Sequence, residues 1–316
     1  MNPGLLRTFA TRWHAAGRVK RVLLSGGALL LSVMLAVTAL GAAWLGGYKV
    51  PFASGATYLR VQKLVPAAVA FRAGGPTDPF FVLLVGNDDR PNVGGARGDA
   101  LHLVGVNPKL HKATMLDIPR DTCWDGDKIN AANATGGAPK QAAAVSGLVG
   151  VPVTYAVDVN FDKFVALVDG VGGVTMNVPT AMHDSYSGAN FEPGTQHMTG
   201  DQALRFSRDR HDFPQSDIIR TNNQGLLILA GIAQLQHDAR TAAGQFHLLT
   251  LLYQHAELAN LSLTDLFRLG RVMYGIPTDQ IRNVTVPTAG GNCLSLAGSA
   301  AGLFADFRDD AVLESN

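Results

Sequence analysis

The sequence predicts an α/β domain in which a mixed β-sheet carries helices on both faces. Short apolar runs alternate with longer runs whose apolar residues fall at helical spacing, in the order strands, helices, then more strands and helices. Charged residues gather where the strand-like runs end. A third observation fixes the domain's address: one stretch near the N-terminus is free of charge for long enough to span a bilayer.

That stretch comes first in the chain. Arg7, Arg12, Arg18, Lys20 and Arg21 precede it with no acidic residue among them, and residues 22–45 carry no charge at all. About 20 apolar residues suffice to cross a membrane. A signal peptide has a shorter apolar core of about 7–15 residues, and Ala42-Ala43-Trp44 resembles a cleavage site only weakly. The run is read as an uncleaved, single-pass anchor. Its basic flank stays in the cytoplasm, so everything after Gly46 is expected outside. The expected division is a basic tail over 1–21, a transmembrane helix over 22–45, a linker and lead-in over 46–79, the principal domain over 80–240, and C-terminal helices and a strand over 241–316 that complete it.

Composition bounds the function. The chain has 316 residues, 47% of them hydrophobic and 16% charged, which allows a large core beside the membrane segment. A net charge of +1 gives no global basic field, so nucleic acid is not an expected partner and any anion site is local. The histidines show no metal-ligand spacing, and Ser207 and Ser216 lack a recognisable base partner, which argues against a serine hydrolase. Of the histidines, His211 stands beside Arg210, where it is a candidate for touching substrate.

The elements then follow in order. Phe81–Val85 reads as a buried strand that stops at Gly86, with Asp88 directly after it. A loop rich in Gly and Pro leads to Arg97-Gly98-Asp99. Leu101–Val106 is a second strand, Pro108–Lys112 a turn, and Ala113–Ile118 a third strand ending in Pro119-Arg120-Asp121. A helix is expected around Pro139–Val149, a strand over Val153–Val159, a helix over Phe161–Val168 and a strand over Val174–Val178. Residues 182–196 are polar and Gly-rich and read as an excursion. Thr199 caps a helix that runs to Ser207, and a long helix spans Asp217–Leu235 with Arg220 and Gln224 one turn apart on one face. Phe246–Tyr253 and Leu263–Gly275 read as helices and Ile281–Val286 as a strand.

Three consecutive strand ends therefore mix carboxylates with arginines: Asp88 and Asp89 with Arg90; Arg97 and Asp99; Arg120 and Asp121. One such cluster would be ordinary loop solvation. Three together point to a metal and a phosphate, because hard cations take carboxylate and phosphate oxygens and the guanidinium fork matches phosphate. Asp88, Asp99 and Asp121 are the candidate general bases by type, and none is assigned, since a metal-bound carboxylate is a poor free base.

The motifs GNDDR (86–90), RGD (97–99), IPRDT (118–122) and KINAANATGG (128–137) occur in order. They are followed by FDKFVALVDGVGGVTMNVP (161–179), PGTQHMTGDQAL (193–204), RDRH (208–211) and DIIRTNNQ (217–224). Over roughly residues 80–236 this series resembles the LytR-CpsA-Psr family of bacterial cell-wall enzymes, in its actinobacterial form. The resemblance implies an αβα sandwich with an apolar groove for a polyprenyl chain. It implies a membrane-anchored phosphotransferase that moves a glycopolymer from a polyprenyl (pyro)phosphate carrier to peptidoglycan as a phosphodiester, with Mg²⁺ or in its place Mn²⁺.

Carried over motif by motif, Asp88 and Asp99 resemble the metal-binding carboxylates, and Arg97, Arg120, Arg208, Arg210 and Arg220 the phosphate-holding arginines. Gln224 resembles the family's helix glutamine. Arg97, Asp99 and Arg120 are the residues expected at the reacting centre. The groove is expected to be lined from the sheet and from Leu226–Leu235. Three positions depart from the family pattern: Asn223 for arginine, Asp209 for an aromatic or aliphatic residue, and Arg205 for a small one. Asp209 either points away from the site or weakens phosphate binding. A non-catalytic binder of polyprenyl phosphate that regulates the wall, and a lipid pyrophosphatase, stay open beside the transferase. Cys123 and Cys293 are the two cysteines, both in the part expected outside, and are expected to be bonded, tying the loop after Arg120 to the C-terminal tail.

Overall fold

The computed structural model describes residues 78–89, 96–212, 216–238 and 240–314. The expected anchor at 22–45 and most of its lead-in lie outside the described residues. Among those described, no helix is long and apolar enough to cross a membrane.

The core is a six-stranded mixed sheet. Strands β1 (Phe80–Asn87), β2 (Gly98–Asn107) and β3 (Lys112–Asp117) form an antiparallel meander. Strand β6 (Tyr155–Asn160) lies parallel to the other side of β1, and β10 (Ile281–Thr285) parallel to β3. Strand β9 (Glu257–Ala259) closes the edge beside β6, so the order is β10-β3-β2-β1-β6-β9. Helices cover both faces of the central strands, which is why their sequences read as almost continuous apolar runs.

Alternation along β1 sorts the two faces. Phe81, Leu83 and Val85 meet Val145 and Val149 of helix α1 (Ala131–Val149) and Phe304 and Phe307 of helix α7 (Ala300–Asp310). Phe80, Val82 and Leu84 face the other way, toward helices α4 (Ser216–Asp238), α5 (Ala242–His255) and α6 (Leu263–Tyr274). A third apolar cluster, with Met182, Phe191, Met198 and Phe206, sits under residues 179–193. That cluster corrects the expected open excursion. The segment is anchored by the Met182–Phe191 bridge and by β8 (Gly194–Met198), which pairs antiparallel with β7 (Val174–Val178).

Helix α1 also starts earlier than expected. Its first turn precedes a break at Gly137 (φ 64°, ψ −164°), and Pro139 opens the second segment. Helix α2 (Phe161–Gly170) is capped by the Asn160 side chain, and α3 (Gly200–Arg208) by a Thr199–Gln202 capping box, as the Thr cap leads one to expect. The strand pairs β4 (Cys123–Trp124) with β5 (Asp127–Lys128) and β11 (Thr288–Ala289) with β12 (Ser295–Leu296) are too short to carry a sequence period.

Candidate functional site

Strand ends and helix ends converge on one cavity of about 640 Å³. The register of β1 slips between Gly86 and Asn87, a bulge that ends pairing just before Asp88. Asp99 stands near the start of the neighbouring β2, and Arg120 follows the Ile118-Pro119 turn out of β3. Arg208 and Arg210 leave the C-terminal end of α3, and Arg220 and Gln224 lie on the first turns of α4. Asp88, Asp99, Arg120, Arg208, Arg210 and Arg220 all line the cavity, and so does Gln224.

Arg97 is the exception among the expected site residues. It precedes β2, its side chain is exposed and it is absent from the cavity wall, while its carbonyl accepts a hydrogen bond from the Asp88 N–H at 3.4 Å.

Charge at the mouth is tightly paired. Arg120 Nη1 donates to Asp99 Oδ1 at 2.8 Å. Asp217 Oδ1 lies 2.5 Å from Arg220 Nη2 and 3.5 Å from Arg120 Nε, so one carboxylate serves two guanidiniums. Burial opposes the charge on Arg120, but Asp99, Asp217 and Asp121 outweigh it and hold its pKa above the usual arginine value. Arg220 goes the other way. Burial first, with repulsion from Arg120 and Arg210, brings it down to about 10 despite Asp217. Among the described residues, the buried Nε atoms of Arg210 and Arg220 have no hydrogen-bond acceptor, and Arg120 Nε has only the longer approach to Asp217. Unmet guanidinium donors around one opening are what phosphate oxygens satisfy.

Asp121, one of the candidate bases, is turned from the cavity and pairs with Lys128 Nζ at 3.1 Å. Arg208 lies over the Phe161 ring, 5.1 Å from its centre, which fixes the guanidinium at the rim. His211 does stand at the mouth, its ring 4.4 Å from the exposed ring of Tyr186. Asp184 beneath them accepts from His211 Nδ1 at 2.9 Å and from the N–H groups of Tyr186 and Arg210. Burial works against its ionised form, but these bonds, led by His211, pull its pKa well below the usual carboxylate range.

None of the three departures, Arg205, Asp209 and Asn223, lines the cavity. Asp209 points away from it and is fully buried; burial, then Asp212 and Asp184, raise its pKa to about 6. Arg205 pairs with Asp201 at 2.8 Å on an exposed flank. Asn223 is buried.

Behind the mouth the cavity is apolar. The expected wall from α4 is present in Leu227, Ile228, Ile232 and Leu235, and α5 and α6 add Leu252 and Met273, which the sequence reading did not anticipate. Asp217, the shared counter-charge, and two polar residues within apolar strand runs, His102 and Asp117, were not among the expected residues. Their signal was visible as a break in otherwise continuous apolar strands.

Fold and site together define a class: a layered α/β domain whose strand ends form an arginine-rich mouth opening into an apolar cavity on one sheet face. The particular family follows from the sequence. Residues 54–301 match the LytR-CpsA-Psr family, and the chain belongs to it. It is 37% identical over 162 residues to the polyisoprenyl-teichoic acid–peptidoglycan teichoic acid transferase TagU of Bacillus mycoides, covering 49% of this chain and 52% of that one. It is also 37% identical over 175 residues to TagU of Halalkalibacterium halodurans, covering 53% of this chain and 57% of that one. The chain thus spans about half the length of these curated relatives. Among solved structures, TagT bound to LIIa-WTA aligns with a TM-score of 0.63 at 25% identity, over 81% of this chain and 99% of that one. B. subtilis TagV aligns with a TM-score of 0.65 at 24% identity, over 76% of this chain and 99% of that one, a likeness of fold.

Proposed function

We propose that this protein is a membrane-anchored phosphotransferase. It takes a glycopolymer from a polyprenyl (pyro)phosphate carrier and joins it to a peptidoglycan hydroxyl as a phosphodiester. The observation that carries the reading is the union of an arginine-rich mouth and an apolar interior in one cavity. That shape suits a ligand with a highly charged head and a long apolar tail. The names of the TagU relatives and of the TagT structure support the same chemistry.

In this reading the prenyl chain lies between the sheet and α4, α5 and α6. The phosphates sit among Arg120, Arg208, Arg210 and Arg220, with the sugar side outward. The acceptor hydroxyl attacks the sugar-side phosphorus, the anhydride bond breaks with its electron pair on the bridging oxygen, and polyprenyl phosphate leaves. The acceptor proton is lost to solvent. Arginines held by Asp99 and Asp217 are preorganised for charge that develops on phosphate oxygens, and such preorganisation is the main source of rate in reactions of this type.

Asp88 and Asp99 fit a hard divalent cation such as Mg²⁺ by donor type, since both are carboxylates at the mouth. Among the described residues no group of three His, Cys, Asp or Glu side chains could hold a metal, so phosphate oxygens and water would complete the shell. The ion would neutralise phosphate charge. The charge-free run at 22–45 with its basic flank supports anchoring in the cell membrane with the domain outside.

The test is transfer from a lipid pyrophosphate-linked oligosaccharide, with and without a peptidoglycan acceptor. Acceptor-dependent phosphodiester formation is the expected result. Release of lipid phosphate without acceptor linkage would make it a pyrophosphatase, and binding without turnover would make it a non-catalytic regulator.

A further inference from the structure

The cavity wall carries a histidine that the charged mouth does not use, backed by a buried carboxylate. His102 on β2 and Asp117 on β3 face each other across the strands, and His102 Nδ1 lies 2.6 Å from Asp117 Oδ1. They are 1% and 0% exposed. His102 lines the cavity, yet its buried Nε2 has no hydrogen-bond partner among the described residues. A polar atom left unpaired in a buried site costs free energy, so it calls for a ligand or a role.

Position narrows the choice. On the cavity face of β2 the residues run inward from the mouth as Ala100, His102, Val104 and Val106, opposite Gly86, Leu84, Val82 and Phe80 of β1. His102 is thus the last polar side chain of this strand before the apolar interior. Asp117 lies against α4 just past Gln224. A Cβ on Gly225 would come within 2.3 Å of Asp117 Oδ2, so only glycine lets the helix approach this closely. The pair therefore sits at the seam between the arginine mouth and the apolar wall, under the helix that carries Arg220 and Gln224.

A prenyl chain has no polar atom to offer there. The polar atoms of a prenyl phosphate are all in its head. We propose that His102, oriented through Nδ1 by Asp117, hydrogen-bonds through Nε2 to the carrier-side phosphate, the one joined to the lipid. This rests on the transferase reading and adds a substrate contact to it. The ring is then held between the Asp117 carboxylate at Nδ1 and that phosphate at Nε2. The same bond then stays with polyprenyl phosphate as the leaving group.

The experiment compares two probes of equal chain length, geranylgeranyl phosphate and geranylgeraniol, binding to the full chain in mild detergent by calorimetry. His102→Asn keeps a donor where Nδ1 meets Asp117, so the buried carboxylate stays paired and the variant should melt like the wild type, but it removes the atom at Nε2. His102→Gln keeps a donor near Nε2. The expected result is roughly tenfold or greater loss of phosphate-probe affinity in His102→Asn, with the alcohol unaffected and partial recovery in His102→Gln. Equal losses for both probes would mean that His102 only packs the wall, and no loss for either would mean that it touches no ligand. Both results overturn the inference and leave the transferase reading standing. A wild-type protein that binds neither probe overturns both.

Discussion

Arg220 is 5% exposed, and its partner Asp217 is shared with Arg120. Its guanidinium is buried at a cost that local charge only partly offsets. Arg220→Ala should therefore cut transfer by roughly 10²–10³-fold while leaving the thermal melt unchanged or slightly raised. A variant that transfers polymer at the wild-type rate would remove Arg220 from the site. Asp158 on β6 carries a related cost on the opposite face. It accepts from Asn87 Nδ2 at 2.5 Å, yet burial, only partly offset by that bond, raises its pKa from 3.8 to about 6. Because the folded-state value is the higher one, the folded chain binds the extra proton between about pH 4 and 6. This group's contribution is most favourable below pH 4, falls as pH rises to 6, and is level above. Asp158→Asn should gain about 2–3 kcal/mol on the wild type between pH 4 and pH 7, read from denaturant melts at the two values. The cavity arginines were legible in the sequence because they sit within ordered motifs, Arg120 just after a strand and Arg208, Arg210 and Arg220 on or just after helices. His102 and Asp117 showed only as polar breaks in apolar runs, and a break gives no hint that its partner is on the next strand.

At the scale of elements, the strands β1, β2, β3 and β7 and the helices α2, α3 and α4 were legible to within a few residues. Each has a period, a cap or a flanking Gly or Pro. Strand β9 and helix α7 were not found. Three residues at a sheet edge carry no period, and α7 starts from Ser299 without a side-chain cap bond. The expected disulfide is present between Cys123 and Cys293. Around it, the Cys123 N–H donates to the Leu294 carbonyl at 2.9 Å and the Leu294 N–H to the Asp121 carbonyl at 2.8 Å. The bond therefore clamps the segment that carries Arg120 onto the C-terminal tail. Replacing both cysteines by serine should cost roughly 2–5 kcal/mol. It should also weaken binding of a prenyl phosphate more than that of the matching alcohol, because Arg120 loses its fixed position. Equal weakening of both would show that the clamp serves stability alone.

For the molecule as a whole, the order of runs was enough to predict a mixed sheet covered on two faces. What that order did not contain is the asymmetry between the faces. One face packs α1 and α7 directly on the sheet; on the other, α4 closes on β3 at Gly225, and the cavity opens beside that contact between β1, β2 and β6 and the helices α4, α5 and α6. Hydrophobic periodicity reports that a residue avoids water, and it reads the same for a packed wall and for the wall of a ligand cavity. A periplasmic-type phosphatase reporter fused after Asn316 should be active, and a cytoplasm-only fluorescent reporter at the same point dark. The reverse pattern would place the domain inside the cell and end the wall-transfer reading.

The two-faced sheet has a consequence for handling the protein. Any amphiphile that enters the cavity binds the folded chain and not the unfolded one, so by mass action it raises the melting temperature, by about 2.7 kcal/mol of added stability at a hundredfold excess over its Kd. Melting curves taken in different detergents should then disagree for chemical rather than instrumental reasons. Long-chain, anionic-headed detergents would give the higher values and short neutral ones the lower. Stabilities of variants are comparable only when the same amphiphile is present at the same concentration.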